Sequence, residues 1–266
     1  MKKFKFIIAM VLVLTFSMPV ASSANNEERL DPNEIRELQS QILDLVVNEK
    51  EETVNDLPLY QKYQDFFKSN PDLEEDYINN LDAKKWEESK IIDRIKVNES
   101  KLVTLFEDGS FSVLENALTS EDGTLIEALP TMSARGVIQD TGEQTYTGKI
   151  GETFKNDARH DIWGPYKIGE LHLVTNYSIN SGSARITSTT ITGTRAIFPA
   201  AVSGSSSIPI NNARIVESLG EYNFAGTCPG GWGTCTGRYH DISTKINIKY
   251  ADNGVITFTV RSIVSN

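Results

Sequence analysis

The strongest constraint on the fold is the strict alternation of apolar and polar residues near the end of the chain. Ile246, Ile248 and Tyr250 alternate with Lys245, Asn247 and Lys249, and after Asp252-Asn253-Gly254 the same period resumes with Ile256, Phe258 and Val260. A period of two places each apolar set on one face of a strand. A three-residue loop pairs Tyr250 with Ile256, Ile248 with Phe258 and Ile246 with Val260, so the apolar register selects a hairpin. Leu171, Leu173, Thr175 and Tyr177 alternate in the same way with His172, Val174 and Asn176. Residues 145–266 are rich in Thr, Ser, Ile, Val and Tyr, with Gly, Asn and Pro punctuating short runs. They read as an all-β domain, a sandwich or small barrel.

The front of the chain has a different character. Residues 26–134 hold 26 acidic and 11 basic side chains, against 10 and 12 in residues 135–266. The net charge of −10 argues against nucleic acid as a partner, because phosphate binding needs a concentrated basic face. Residues 25–98 read as an acidic helical region. Asp31-Pro32-Asn33-Glu34 is a helix start, with Asp31 as cap, Pro32 in the first turn and Glu34 completing a capping box. Ile35, Leu38, Ile42, Leu45 and Val46 follow at helical spacing. Asn70-Pro71 predicts a second start. Asp82 predicts a third, with Trp86, Ile92 and Ile95 on a shared side. Tyr60, Tyr63, Phe66 and Phe67 form an aromatic stripe best read as core.

Residues 99–118 read as a hairpin. Val103, Leu105, Phe111 and Val113 share one face only if Glu107-Asp108-Gly109 forms a three-residue loop with Gly109 left-handed. Residues 119–144 are polar and read as a linker. The fold class expected is therefore α+β in two parts, the acidic helical region followed by the β-domain, as distinct physical units.

Residues 1–24 read as a signal peptide. Lys2, Lys3 and Lys5 precede an apolar run from Phe6 to Phe16 that is too short to span a bilayer, and Ser22-Ser23-Ala24 offers small residues for cleavage before Asn25. Secretion is the expected destination. In that setting Cys228 and Cys235, the only cysteines, are expected to form a disulfide. Closing so short a ring stabilises by about 2–3 kcal/mol on the chain-entropy account. It would hold Trp232 at a tight tip, either folded back on the core or presented to a partner.

Candidate chemistry is sparse. His160 and His240 stand in similar strings, Arg159-His160-Asp161 and Tyr239-His240-Asp241. His240 and Asp241 are the weak candidates for a catalytic pair, while the plain reading of all three histidines is solvated or hydrogen-bonded surface. Metal-ligand spacing, a nucleophile elbow, a P-loop and a dinucleotide fingerprint are all missing. Neither cofactor nor metal is expected. Ser203-Gly204-Ser205-Ser206-Ser207 reads as a flexible loop. The Ser/Thr-dense stretch 175–210 invites a membrane-hairpin reading, since a membrane strand needs about 9–11 alternating residues. Against it, Ile186 and Ile191 fall out of phase.

In style the leader, the Thr104–Ser110 hairpin and the Ser/Thr-rich strands resemble small exported β-rich proteins of Gram-positive spore-forming bacteria. The resemblance implies export and assigns no residue a role. The expected function is that of an exported non-enzymatic protein. Its β-domain would bind an extracellular or cell-envelope partner, and the acidic segment would be an accessory or prosegment cut near Arg135. The alternatives are a membrane-active pore-forming toxin precursor, the only reading in which the membrane is a partner, and a secreted wall-polymer hydrolase.

Overall fold

The computed structural model describes residues 31–70, 91–129, 139–195, 201–227 and 234–265. Helices come first: α1 (Pro32–Val47), a 3-10 turn (Glu51–Asp56) and α2 (Pro58–Ser69). Twelve strands follow in the described residues: β1 (Ile91–Lys96), β2 (Lys101–Phe106), β3 (Phe111–Ser120), β4 (Gln139–Asp140), β5 (Gln144–Lys149) and β6 (Thr153–Trp163), then β7 (Lys167–Ile179), β8 (Ala184–Arg195), β9 (Ala201–Ile210), β10 (Ile215–Thr227), β11 (Thr234–Asp252) and β12 (Val255–Ser265). They form two antiparallel sheets. Sheet A runs β1-β2-β3-β6-β7-β8. Sheet B runs β4-β12-β11-β10-β9, with β5 also on β12. The sheets stay open, so the structure is a sandwich rather than a barrel.

Asp31 caps α1 as the sequence implies, its carboxylate accepting from the Asn33 N–H at 2.8 Å. Glu34 does not close a capping box. It turns instead to α2, accepting from Lys62 Nζ at 2.6 Å and the Tyr63 hydroxyl at 2.9 Å, because these donors offer a charge-assisted contact that ties the two helices together. Ile35, Leu38, Ile42 and Val46 are buried, as are Tyr60, Tyr63 and Phe67 of the aromatic stripe. The starts expected at Pro71 and Asp82, and Trp86 with them, lie outside the described residues. Ile92 and Ile95 are on strand β1 rather than a helix.

The two-part layout is met loosely: a few short helices precede a mostly β body and pack on it. Their apolar faces belong to one core with Val103, Phe111, Val113 and Trp163 of sheet A and with Tyr222, Ile242 and Val264 of sheet B. Phe67 meets Tyr166 at 5.4 Å between ring centroids, and Phe111 stacks on Trp163 at 6.0 Å. Alternation explains how sheet A serves both sides. Ser112 and Asn116 of β3 bond to Gln139 and Gln144 of sheet B. Phe111 and Val113 therefore face the other way, toward the helices. The molecule has three layers, helices on sheet A on sheet B. β1, β2 and β3, which precede Arg135, are three of the six strands of sheet A.

Both predicted hairpins form, one with a correction. Val103 pairs with Val113 and Leu105 with Phe111 across a loop containing Gly109 at φ +84°. In the last hairpin Ile246 pairs with Val260 and Ile248 with Phe258 as expected, but Tyr250 pairs with Thr257 and Asp252 with Val255. The turn is the two-residue Asn253-Gly254, both at positive φ (49° and 82°), the conformation that Asn-Gly favours. A one-residue bulge at Lys249 makes up the difference in register. The expected 119–144 linker gives its first two residues to β3 and contains β4, while 130–138 lie outside the described residues.

Between the sheets lie two apolar clusters. One is shared with the helices, and a second holds Tyr146, Phe154, Tyr177, Ile246, Ile256 and Phe258. Buried polar pairs also cross from sheet to sheet: Thr175 to Ser218 at 2.7 Å, Asn116 to Gln144 at 3.0 Å, and the Tyr222 hydroxyl to the His172 carbonyl. Such satisfied pairs fix how one sheet sits on the other.

Candidate functional site

Strands β8 and β9 form the feature that departs furthest from an ordinary sandwich. Each is the last strand of its own sheet, β8 of sheet A and β9 of sheet B. The segment read as a loop, Ser203–Ser207, is the middle of β9. In β8 the residues Ile186 and Ile191, five apart, face the same way after all. Tyr177 pairs with Ile186 and Asn176 with Ser188, so Thr187 is an extra residue that resets the phase. One face of β8 then carries Ala184, Ile186, Thr189, Ile191 and Gly193. The other carries Arg185, Ser188, Thr190, Thr192 and Thr194, all exposed. In β9 Val202, Ser206 and Ile208 are half-buried, and Ser203, Ser205 and Ser207 are exposed. Between Arg185 and Arg195 β8 carries no charge, and β9 carries none at all.

Glycines bring these edges together. A Cβ on Gly193 would lie 2.8 Å from Val202, one on Gly220 would lie 2.8 Å from Ile191, and one on Gly204 would lie 1.9 Å from the Glu221 carbonyl oxygen. A backbone atom cannot yield as a side-chain tip does. Gly204→Ala should therefore cost about 2 kcal/mol, read as a lowered midpoint in chemical denaturation, and Gly193→Ala should cost less.

The β8–β9 pair is rooted at the end of the sandwich away from the β2–β3 turn. Ala184 bridges Ala213 there. The same end collects Leu125, Leu129, Ile150, Ile210, Ile215, Tyr250 and Val255. These are all the exposed large hydrophobic residues among the described ones except Ile92. Several flank neighbouring turns, and the Ile150 N–H bonds to the Gly254 carbonyl at 3.3 Å.

On the outer face of sheet A lies an ionic network. Glu51 of the 3-10 turn accepts from Arg159 at 2.7 Å and contacts Lys167 at 3.0 Å. Asp161, only 1% exposed, pairs with both cations. His172 sits between Asp157 at 2.9 Å and Glu170 at 2.7 Å. The Asp157 and Glu170 hydrogen bonds outweigh burial and hold its pKa up at about 9.

His160 and His240 contradict the surface reading. They are 0% and 2% exposed, with ring centroids 6.3 Å apart between the sheets. Burial, helped by His240, pushes His160 down to about 3. Asp241 follows His240 on a strand, so the two side chains stand on opposite faces and do not form a joint proton relay. Burial and the neighbouring Glu221 raise its carboxyl pKa.

The two histidines shape stability in opposite senses. Folded His172 keeps its proton to about pH 9, so its contribution is complete below 6.5, the unperturbed value, and is lost as pH rises through 9. His160 is neutral when folded, while the unfolded chain takes up its proton below 6.5, so stability falls as pH drops toward 3. The melting temperature should peak near neutrality. His172→Gln should flatten the alkaline limb and His160→Leu the acid limb; a profile that neither variant changes would contradict this assignment.

Cys228 and Trp232 lie outside the described residues, and Cys235 is known only by its place in β11 across from Gly226. The disulfide and the aromatic tip remain expectations. Among the described residues no three His, Cys, Asp or Glu side chains are grouped to hold a metal ion, and no helix is long and apolar enough to cross a membrane. Fold and site together define a three-layer antiparallel sandwich with helices on one face and a charge-poor, two-faced strand pair at its edge. Compared with known proteins, the chain matches no family model, no curated protein and no solved structure.

Proposed function

We propose that this is an exported, non-enzymatic protein that acts on lipid membranes, with β8–β9 as the segment that enters the bilayer. The observation that carries the reading is the bulge at Thr187, which restores apolar alternation along a strand whose sequence pattern is out of phase. The strands have 12 and 10 residues, enough for tilted membrane strands of about 9–11. Beyond Arg185 at the root, their polar face is mainly Ser and Thr, suited to water, and the linking sequence Ala196-Ile197-Phe198-Pro199-Ala200 carries no charge. The exposed apolar rim at the root of the pair is suited to contact with a bilayer surface.

Two strands alone leave rows of unpaired N–H and C=O groups, which hydrocarbon does not tolerate. Spanning therefore requires further copies of the chain to close a barrel. The leader with Lys2, Lys3 and Lys5 supports delivery outside the cell. Dye release from liposomes, measured before and after limited proteolysis, tests the reading. Leakage in either state is expected. Its absence in both would overturn the membrane reading and leave binding of an envelope partner.

A further inference from the structure

Strands at the two sheet edges need a fastening between sheets, because neither ladder joins β8 to β9 along its length. That fastening is concentrated at their root. The Asn211 side chain follows directly on β9 and bonds both ways with one residue of β8: its Oδ1 accepts from the Ile186 N–H at 2.8 Å, and its Nδ2 donates to the Ile186 carbonyl at 2.9 Å. An amide side chain is here acting as a strand. Asn212, at φ +51°, makes the turn that presents it, and the Ala184 N–H bonds to the Ala213 carbonyl at 2.9 Å two residues further on. Higher along the pair, Ser206 Oγ donates to the Thr189 carbonyl at 3.1 Å.

Asn211 also sits where motion would begin. The root is the end at which β8 leaves the β7–β8 turn and β9 enters the β9–β10 turn, so a pair swinging out of the sandwich must pivot there. Ile186, its partner, is 2% exposed and packed in the second apolar cluster. It lies next to the bulged Thr187, where the β7–β8 ladder is already interrupted. A bidentate clamp beside a ladder defect holds the strand at its weakest point.

We propose that Asn211 is the positioning residue that keeps β8–β9 in the sandwich and sets how readily the pair leaves it. The proposal rests on the membrane reading above, but its first readout does not need a membrane. Amide hydrogen exchange of the full chain is compared in the natural protein, Asn211→Ala, Asn211→Asp and a Leu38→Ala control that loosens the helical end. Dye release from phosphatidylcholine–phosphatidylserine vesicles is followed in parallel. Asn211→Ala should exchange about tenfold faster across 184–194 and release dye with a shorter lag. Asn211→Asp keeps the acceptor and loses the donor, and should fall between. Leu38→Ala should change neither, although it lowers the melting temperature. If 184–194 exchange no faster in Asn211→Ala than in Leu38→Ala, the clamp is overturned. If exchange follows the expected order and no variant releases dye, the clamp stands and the membrane reading falls.

Discussion

Ile191→Arg should abolish dye release, and Thr192→Arg should leave it intact. The two positions are neighbours on β8 and differ only in face. Ile191 lies on the apolar side that would meet lipid, and Thr192 on the polar side that would meet water. An arginine on the lipid face near mid-bilayer costs about 2–4 kcal/mol per copy. Even one such cost slows release roughly thirtyfold or more, and an assembly of several copies bears it several times. Ile191 also packs near Gly220 in the soluble fold, so Ile191→Ser serves as the control that loosens the seat without adding charge. Release by Ile191→Ser but not by Ile191→Arg is the expected pattern. Equal release by both arginine variants would remove the face assignment and the hairpin mechanism with it.

Asp161→Ala should be among the most damaging single changes to the fold. The carboxylate is 1% exposed and pairs with Arg159 and Lys167. Removing it takes the most buried partner from two partly buried cations and leaves them Glu51 and Glu170. We expect a loss of about 3 kcal/mol, the low end for breaking a buried ion pair, or roughly 6–12 °C in melting temperature for a chain of this size. Because Glu51 belongs to the helical layer, the loss should appear equally in near-ultraviolet signals of the helix-side aromatic residues and of the far cluster. Separate transitions would mean that the helices are held independently of the sheets.

The reading of sequence succeeded where period and turn chemistry agree. Val103 with Val113 and Ile248 with Phe258 were legible because a two-residue period leaves one register that keeps apolar residues together. Asp31-Pro32 was legible because a cap is a local event. What escaped were single-residue insertions. Lys249 and Thr187 each add one residue to a strand, and no local composition marks a bulge; it shows only when the partner strand is known. That one unseen residue at Thr187 made Ile186 and Ile191 appear out of phase and hid the two-faced strand. Ser203–Ser207 was missed for a related reason. Serine runs are common in loops, and only pairing with β10 makes this one a strand. The burial of His160 and His240 was beyond reach because inner and outer faces cannot be told apart when both flanks of a strand are mixed. The contact of α1 and α2 with sheet A depends on residues far apart in the chain, which periodicity does not report.

The position of β12 has a consequence for how the molecule is made. It comes after every other described strand in the sequence, yet it lies inside sheet B, between β11 and the β4 and β5 segments, and its Val264 shares a core with Ile35 of α1. The core is incomplete until β12 joins it, and pairings of such long sequence separation form slowly. A nascent polypeptide with this topology stays unfolded for longer than one that closes locally.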